Sequence, residues 1–322
     1  MRPLLSLPSL LLTLALPAAA AESVAFDAWL SALRAEAAGR GISAPVLDAA
    51  LADVAPIPRV LELDRKQPEF TLSFAEYLER VVPDRRVRQG QRLLAQHRDL
   101  LESVAARYHV QPRFIVALWG IETDFGRLTG GFPVVGALAT LAWEGRRRAF
   151  FRGELLDALQ ILEEGHVTPA AMQGSWAGAM GQPQFMPSSF RRFAEDFDGD
   201  GRRDIWGTRA DVFASAANYL ARSGWRDDQT WGREVRLPRG FDRSLLGLET
   251  GKRLSEWQAL GVRRADGRDL PTRDLPASLV RPGGDTGPVY AVYDNYRVLM
   301  RWNRSTYFAT AVGVLSDRIG GR

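Results

Sequence analysis

The chain has 322 residues, 46% of them hydrophobic and 25% charged, and it contains no cysteine. Such a composition is globular and excludes disorder, collagen and coiled coil, while the length gives a soft expectation of about two domains. Lacking cysteine, the chain has no disulfide framework, thiolate metal site, cysteine nucleophile or lipid-modified cysteine. The net charge of +4 comes almost wholly from arginine, with lysine only at Lys66 and Lys252. These arginines are spread among acidic residues rather than gathered in a stripe, so nucleic acid is not an expected partner. The three histidines, His97, His109 and His166, have no metal-ligand spacing.

In chain order, Met1-Arg2-Pro3 leads into an apolar run from Leu4 to Leu16, then Pro17 and four alanines. This reads as a secretory signal peptide over 1–21, giving an exported, periplasmic protein that starts near Glu22. An uncleaved amphipathic anchor fits poorly, because one arginine leaves almost no polar face. No later run reaches about 18 apolar residues, so no membrane span is expected.

Residues 22–106 have helical spacing, as in Phe26, Leu30 and Leu33, and Pro56, Pro58, Pro68 and Pro83 cut them into short helices. A second helical block, 107–228, is interrupted by glycine-rich stretches at 126–136, 174–187 and 198–207, where chemistry is expected. Residues 229–290 read as a small β subdomain, with short strands at Glu234 to Leu237 and Val289 to Tyr293. Over 291–322 a strand and a helix return to the core, the helix capped by Ser305 with Phe308, Val312, Leu315 and Ile319 on one face. The fold class is therefore mainly α (α+β).

The segment Gln111 to Gly126 opens with Pro112 and ends at glycine, as helices tend to. Phe114, Leu118, Ile121 and Phe125 form its core stripe, and Glu122 falls about 80° from the centre of that stripe. A carboxyl there is partly desolvated and keeps its proton to higher pH. Asp124 falls about 80° to the other side and diverges from it. From this helix alone a solvated surface glutamate is the better reading, because glutamate is rarely buried. Later, Gln173 to Ser189 combines close-approach glycines with Ser175, Gln182 and Gln184, whose hydroxyl and amides suit sugar groups. Trp176 and Phe185 offer apolar faces for sugar rings, although a glycine-rich connector with buried aromatics fits equally well.

Asp196-Phe197-Asp198-Gly199-Asp200-Gly201 matches the opening of a calcium loop, and Arg202 can add its backbone carbonyl. The twelfth position is Gly207, where an EF-hand places a bidentate glutamate. A solvated acidic turn is the alternative.

Ala117-Leu118-Trp119-Gly120-Ile121-Glu122-Thr123, Ala177-Gly178-Ala179-Met180-Gly181, Gln184-Phe185-Met186-Pro187-Ser188-Ser189, the acidic loop after Phe193 and Arg301-Trp302-Asn303-Arg304-Ser305 occur in that order. Over essentially residues 60–320 the sequence resembles the membrane-bound lytic murein transglycosylase B family. The resemblance implies a lysozyme-like core. It also implies a lytic transglycosylase acting on peptidoglycan glycan strands, which cleaves the MurNAc-GlcNAc β-1,4 bond without water and leaves 1,6-anhydro-MurNAc ends. Glu122 would then be the single catalytic acid/base. Ser175, Gln184, Tyr219 and Asn303 would line the glycan groove, with Tyr77, Arg147 and Arg148 facing the substrate. Trp302, among the implied substrate contacts, stands where family members commonly carry tyrosine. By composition alone Arg146 to Arg148 are a solvated helix face.

The family closes its calcium site with a later aspartate, matched here by Asp211, so the implied ligands are Asp196, Asp198, Asp200, Arg202 and Asp211. Asp211 also fits the third position of a helix cap begun by Thr208. No cofactor is expected for catalysis, and calcium would be structural. Two other readings remain, a hydrolytic muramidase and a non-catalytic glycan-binding cell-wall protein. A lone carboxylate favours the transglycosylase, because glycoside hydrolysis normally takes two.

Overall fold

The computed structural model describes residues 18–66, 72–285 and 287–321, with side chains from Ala25 onward. Most of the expected signal peptide, residues 1–17, and Pro68 lie outside them. Helices α1 (Ala18–Gly39), α2 (Ala44–Leu51), α3 (Pro58–Arg65), α4 (Phe74–Val81), α5 (Asp84–Gln96) and α6 (Arg98–Tyr108) precede α7 (Pro112–Thr123). A short strand β1 (Phe132–Pro133) leads into α8 (Val134–Trp143) and α9 (Arg148–Glu163), followed by β2 (Gln173–Gly174), α10 (Pro187–Phe193) and α11 (Arg209–Arg222). The remainder comprises β3 (Gly232–Arg236), β4 (Gly247–Arg253), α12 (Leu254–Ala259), β5 (Arg263–Arg264), β6 (Pro276–Val280), β7 (Val289–Val292), α13 (Asp294–Trp302) and α14 (Thr306–Ile319). The chain is mainly helical with two small antiparallel sheets. Pro45, Pro58, Pro112 and Pro187 sit in first helical turns, where a missing N–H leaves no broken bond.

Two apolar cores meet along the middle of the helical part. One gathers α7, α11, α13 and α14 around Phe114, Phe213, Leu299 and Leu315. The other gathers α1 to α3 with α8 to α10 around Leu33, Leu138, Leu159 and Phe190. The N-terminal helical region, expected as one unit over 22–106, divides between them. Val60 of α3 packs in the second core and Phe74 of α4 in the first. The division follows partners rather than chain order, since α3 packs on α8 while α4 packs on α14.

The larger sheet has strand order β4-β6-β7-β3-β5, and its paired strands are antiparallel. All four residues of β7 are buried because the strand lies between two layers. Side chains alternate across a sheet, so Tyr290 and Val292 join the helical core while Val289 and Ala291 join the subdomain's own core around Trp257. Ser305 accepts from Phe308 N at 3.3 Å, and Phe308, Val312, Leu315 and Ile319 are buried as their spacing requires.

Helix α7 differs from its sequence reading in two respects. It is buried on nearly all sides from Phe114 to Gly120, because α5, α11 and α14 all pack on it, whereas Ile121 of the expected stripe is only partly buried. It also ends at Thr123. Asp124 and Phe125 are left-handed at φ 50° and 63°, and Gly126 continues at 82°. A β-carbon at Gly126 would run into Gln182 Oε1, so both the backbone angle and the space require glycine.

The reversal buries Asp124 among arginines. Arg86 Nε donates to its Oδ1 at 3.1 Å, and Arg127 donates twice to Oδ2, at 2.9 and 2.6 Å. Arg85 completes the cluster at 3.4 Å. Burial alone would raise the Asp124 pKa, but hydrogen bonds from Arg127 and Arg86 and the charges of Arg86 and Arg85 outweigh it and hold the carboxyl below its ordinary range. Removing it strands Arg86, which is itself largely buried. We predict that Asp124→Ala lowers stability by about 3–5 kcal/mol in urea unfolding at neutral pH. A carboxyl with a depressed folded pKa contributes above its unfolded pKa and ceases to contribute as pH falls through the folded one. The difference between wild type and variant should therefore shrink in acid. An equal difference at acid and neutral pH would show that the cost is lost packing.

Candidate active site

Glu122 occupies the last turn of α7, one residue before the helix ends. Its Oε1 accepts a hydrogen bond from Trp302 Nε1 at 2.6 Å, and Oε2 makes no hydrogen bond among the described residues. The residue keeps some accessible surface, yet crowding around its carboxyl dominates the electrostatics. Burial pushes the pKa up, the Trp302 bond pulls it down, and the balance stands at about 7. Glu122 is thus half-protonated near neutral pH, a state from which a carboxyl can either give or take a proton. The solvated-surface reading of this residue fails, because the second core closes over the end of α7.

The segment after β2 brings that core to Glu122. Gln182 is buried and its polar atoms are used internally. Its Oε1 accepts from Trp119 Nε1 at 2.8 Å and its Nε2 donates to Trp206 O at 2.6 Å. Its backbone carbonyl accepts from Thr123 Oγ1 at 3.0 Å, and its N–H donates to Ile205 O at 2.9 Å. The expectation that this amide serves sugar hydroxyls is corrected: it joins α7 to two loops. Phe185 is likewise turned inward, 5.4 Å from Trp302 and 5.8 Å from Tyr219 between ring centres, and offers no free face. Trp176 remains partly exposed.

The other expected contacts fall into three groups. Tyr77 on α4 packs against Tyr307, the rings tilted and 5.5 Å apart, and burial followed by the Glu122 charge raises its pKa, so its hydroxyl lies within the field of Glu122. Tyr219 on α11 packs 4.7 Å from Trp302 and donates to Arg301 O at 2.8 Å. Ser175 and Gln184 are partly exposed and shape the loop. Ser175 Oγ accepts from Ala179 N at 3.0 Å, and Gln184, left-handed at φ 53°, donates from Nε2 to Gly181 O at 2.8 Å and Thr129 O at 3.1 Å. Asn303 is exposed beside Trp302, its Oδ1 accepting from Ser305 N at 3.1 Å. Arg147 and Arg148 lie at the start of α9. Arg147 sits 4.9 Å above the Phe151 ring, and Arg148 lines a cleft with Trp29, Trp143, Glu144 and Arg152. No interaction among the described residues ties either arginine to Glu122.

The acidic loop forms a compact carboxylate cluster. Asp196, Asp198 and Asp211 each offer an oxygen within 4.8 Å of the others. Asp196 accepts from Gly199 N at 2.8 Å and Gly201 N at 2.9 Å, while Asp211, fully buried, accepts from Phe197 N at 2.8 Å and Asp204 N at 2.7 Å. Asp200 stands outside the trio, accepting from Arg202 N at 2.8 Å. The capping alternative for Asp211 is excluded, because Thr208 makes no side-chain cap and its hydroxyl donates to Asp204 Oδ2 at 3.2 Å. Burial, and then the charges of Asp198 and Asp196, raise the Asp211 pKa to about 6 despite its two backbone donors. Such a cluster repels itself without a cation, and its all-oxygen donor set suits a hard cation such as calcium. Ile205 and Trp206, which lead out of this loop, are the residues whose carbonyls hold Gln182.

A family model described as a transglycosylase SLT domain matches residues 25–317. The membrane-bound lytic murein transglycosylase B of Escherichia coli (strain K12) is 35% identical over 250 residues, 74% of this chain, and the chain covers only 65% of that relative's length. Among solved structures, SltB3 from Pseudomonas aeruginosa in complex with NAG-anhNAM-pentapeptide superposes with a TM-score of 0.90 at 49% identity, covering 92% of this chain and 80% of that one. The Escherichia coli lytic transglycosylase Slt35 in complex with calcium gives a TM-score of 0.77 at 30% identity, covering 90% and 92%. With the family model extending over nearly all of the described residues, the chain belongs to the transglycosylase SLT domain family.

Proposed function

We propose that this chain is an exported peptidoglycan lytic transglycosylase that cleaves the MurNAc-GlcNAc β-1,4 bond without water. The observation that carries the reading is a single carboxyl, Glu122, poised near neutrality by burial, while the neighbouring Asp124 is committed to three arginines. A hydrolase normally uses a second carboxylate as nucleophile or as base for water, substrate-assisted enzymes excepted. One group suffices if the substrate supplies its own nucleophile. Glu122 gives its proton to the glycosidic oxygen as the C1–O bond breaks, and the electron pair leaves with GlcNAc O4. The MurNAc acetamido group supports the positive C1. The Glu122 carboxylate then takes the proton of the C6 hydroxyl as O6 bonds to C1, closing the 1,6-anhydro ring and restoring the acid. An internal hydroxyl outcompetes water because it is already in place, an advantage that for well-oriented groups reaches effective concentrations of about 10⁵–10⁸ M.

Ser175, Gln184, Tyr219, Asn303 and Trp302 would line the glycan groove beside Glu122, with Tyr77, Arg147 and Arg148 toward stem peptide and lactyl carboxylates. Arginine pairs suit carboxylates because they donate two parallel hydrogen bonds. The proposed organisation is a signal peptide over 1–21, an N-terminal helical region over 22–106, the catalytic core over 107–228, a small β subdomain over 229–290 and a C-terminal return over 291–322. No helix among the described residues is long and apolar enough to cross a membrane. Asp196, Asp198 and Asp211, with Asp200 and the Arg202 carbonyl, would hold calcium, which supplies positive charge to the loop and no part of the bond cleavage.

Three predictions test this reading. Glu122→Gln should keep the fold and lose turnover by at least about 10³-fold, near or beyond the upper end for one acid-base group. Wild-type products from sacculi should weigh one water less than muramidase products, and hydrated products would make the enzyme a hydrolase. Retention of a tenth of the activity would remove Glu122 from its role.

The second concerns pH. Activity should decline as Glu122 loses its proton above about pH 7. The same group penalises folding: below the ordinary 4.5 it is protonated folded and unfolded, but between 4.5 and about 7 the folded chain holds the extra proton. Stability from this site therefore falls as pH rises through that window. Glu122→Gln should melt above wild type at alkaline pH and together with it in acid; parallel curves would refute the burial of the carboxyl.

In the third, calcium at 100 times its Kd should add about 2.7 kcal/mol, seen as a rise in Tm over chelator. Asp196→Asn with Asp198→Asn should abolish the rise and leave activity at low temperature. An unchanged wild-type Tm would make the loop a solvated acidic turn, and a folded but inactive double variant would refute a purely structural role.

A further inference from the structure

The hydrogen bond between Trp302 and Glu122 does more than hold a side chain still. An indole has one N–H and no acceptor, so its partner atom must accept. A protonated carboxyl has one oxygen that carries hydrogen and one carbonyl oxygen, and the carbonyl oxygen is the better acceptor. A tyrosine in the same place can donate or accept and imposes no such choice. The indole is also fixed in direction. Its ring lies 4.7 Å from Tyr219 on α11 and 5.4 Å from Phe185 in the loop before α10, and it packs against both helical cores. Tyr219 is tied in turn to the backbone at Arg301.

We infer that Trp302 is a positioning residue for the acid step: its N–H holds Glu122 Oε1 as the acceptor, so the proton to be delivered rides on Oε2, the oxygen left free. This rests on the reaction proposed above, in which Glu122 acts first as acid. Sequence order alone gives no hint of it, since the two residues are 180 apart.

Several ionisable groups surround the pair, and among the described residues Trp302 is the hydrogen-bond partner of Glu122. Tyr77 on α4 senses the Glu122 charge, and Arg86 on α5 is bound to Asp124 after α7. On α11, Arg209 sits 5.0 Å over the Trp119 ring and Tyr219 bonds to Arg301 O. Arg301 on α13 donates to Ser223 O, and Tyr307 on α14 packs its ring against that of Tyr77. The indole bond opposes the rise that burial imposes on Glu122.

The test begins with the wild-type protein and no substrate. The Trp302 indole N–H resonance, followed by ¹⁵N–¹H NMR, should move with pH with its midpoint near 7, where Glu122 titrates, and should stay fixed in Glu122→Gln. Trp302→Phe keeps an aromatic ring and removes the donor. We expect kcat to fall about 10- to 100-fold, the scale of a misplaced reacting group, more than any change in KM from the altered groove wall, with the alkaline limb of the pH profile moved upward. Trp302→Tyr, which restores a donor, should recover part of the loss. An indole resonance flat between roughly pH 5 and 9, or a folded Trp302→Phe with unaltered kcat and pH limb, overturns the inference. If Trp302→Phe does not fold, the wild-type titration decides alone. Turnover surviving in Glu122→Gln would sink the proposed reaction instead, while the indole titration would still report the bond.

Discussion

The site depends on the buried amide of Gln182. It accepts from Trp119 in the middle of α7 and donates to the carbonyl of Trp206, while its own backbone meets Thr123 and Ile205. One residue thereby fixes the end of the helix that carries Glu122, the loop that closes over it and the chain leaving the carboxylate cluster. Each of these groups is costly to bury without a partner, so the arrangement is all or nothing. Gly126, at φ 82° and against the same amide, leaves room for no other geometry.

This clamp gives Glu122 its environment. The last turn of a helix that one core buries on nearly all sides is brought under a loop belonging to the other, and a carboxyl caught at such a seam loses most of its hydration. Asp124, two residues on, is also buried, but arginines answer its charge. Two carboxyls so near in sequence are driven in opposite directions, one toward the neutral form and the other toward the ion. That divergence separates an acid-base group from a structural counter-ion.

Much of this was legible in the sequence. The acidic loop, the Ser305 cap and the apolar stripe of α14 are local patterns, and local patterns survive folding, whereas the helix around Glu122 by itself reads as a solvated surface. What the sequence withheld was tertiary. A glycine-rich run with two glutamines does not reveal which amide turns inward, and Gln182 and Gln184 divide the roles that composition had given to both. Phe185 reads as a platform for a sugar ring and proves to be the wall behind Trp302. The arginines around Asp124 come from α5 and from the turn itself, and periodicity is silent on them. Nor does a tryptophan in place of a tyrosine reveal that its N–H reaches Glu122.

The 180-residue separation of Glu122 from Trp302 makes the site a product of the whole tertiary fold rather than of α7 alone. Bringing such distant residues together carries a loop-closure entropy that the packing of the intervening helices offsets. A chain still emerging, or one whose α13 has not docked, carries the acid but lacks the donor that orients it and the ring that covers it. In the reaction proposed above, such a form would hold the acid without the group that orients its proton, so docking of α13 would be a condition of activity and not only of stability.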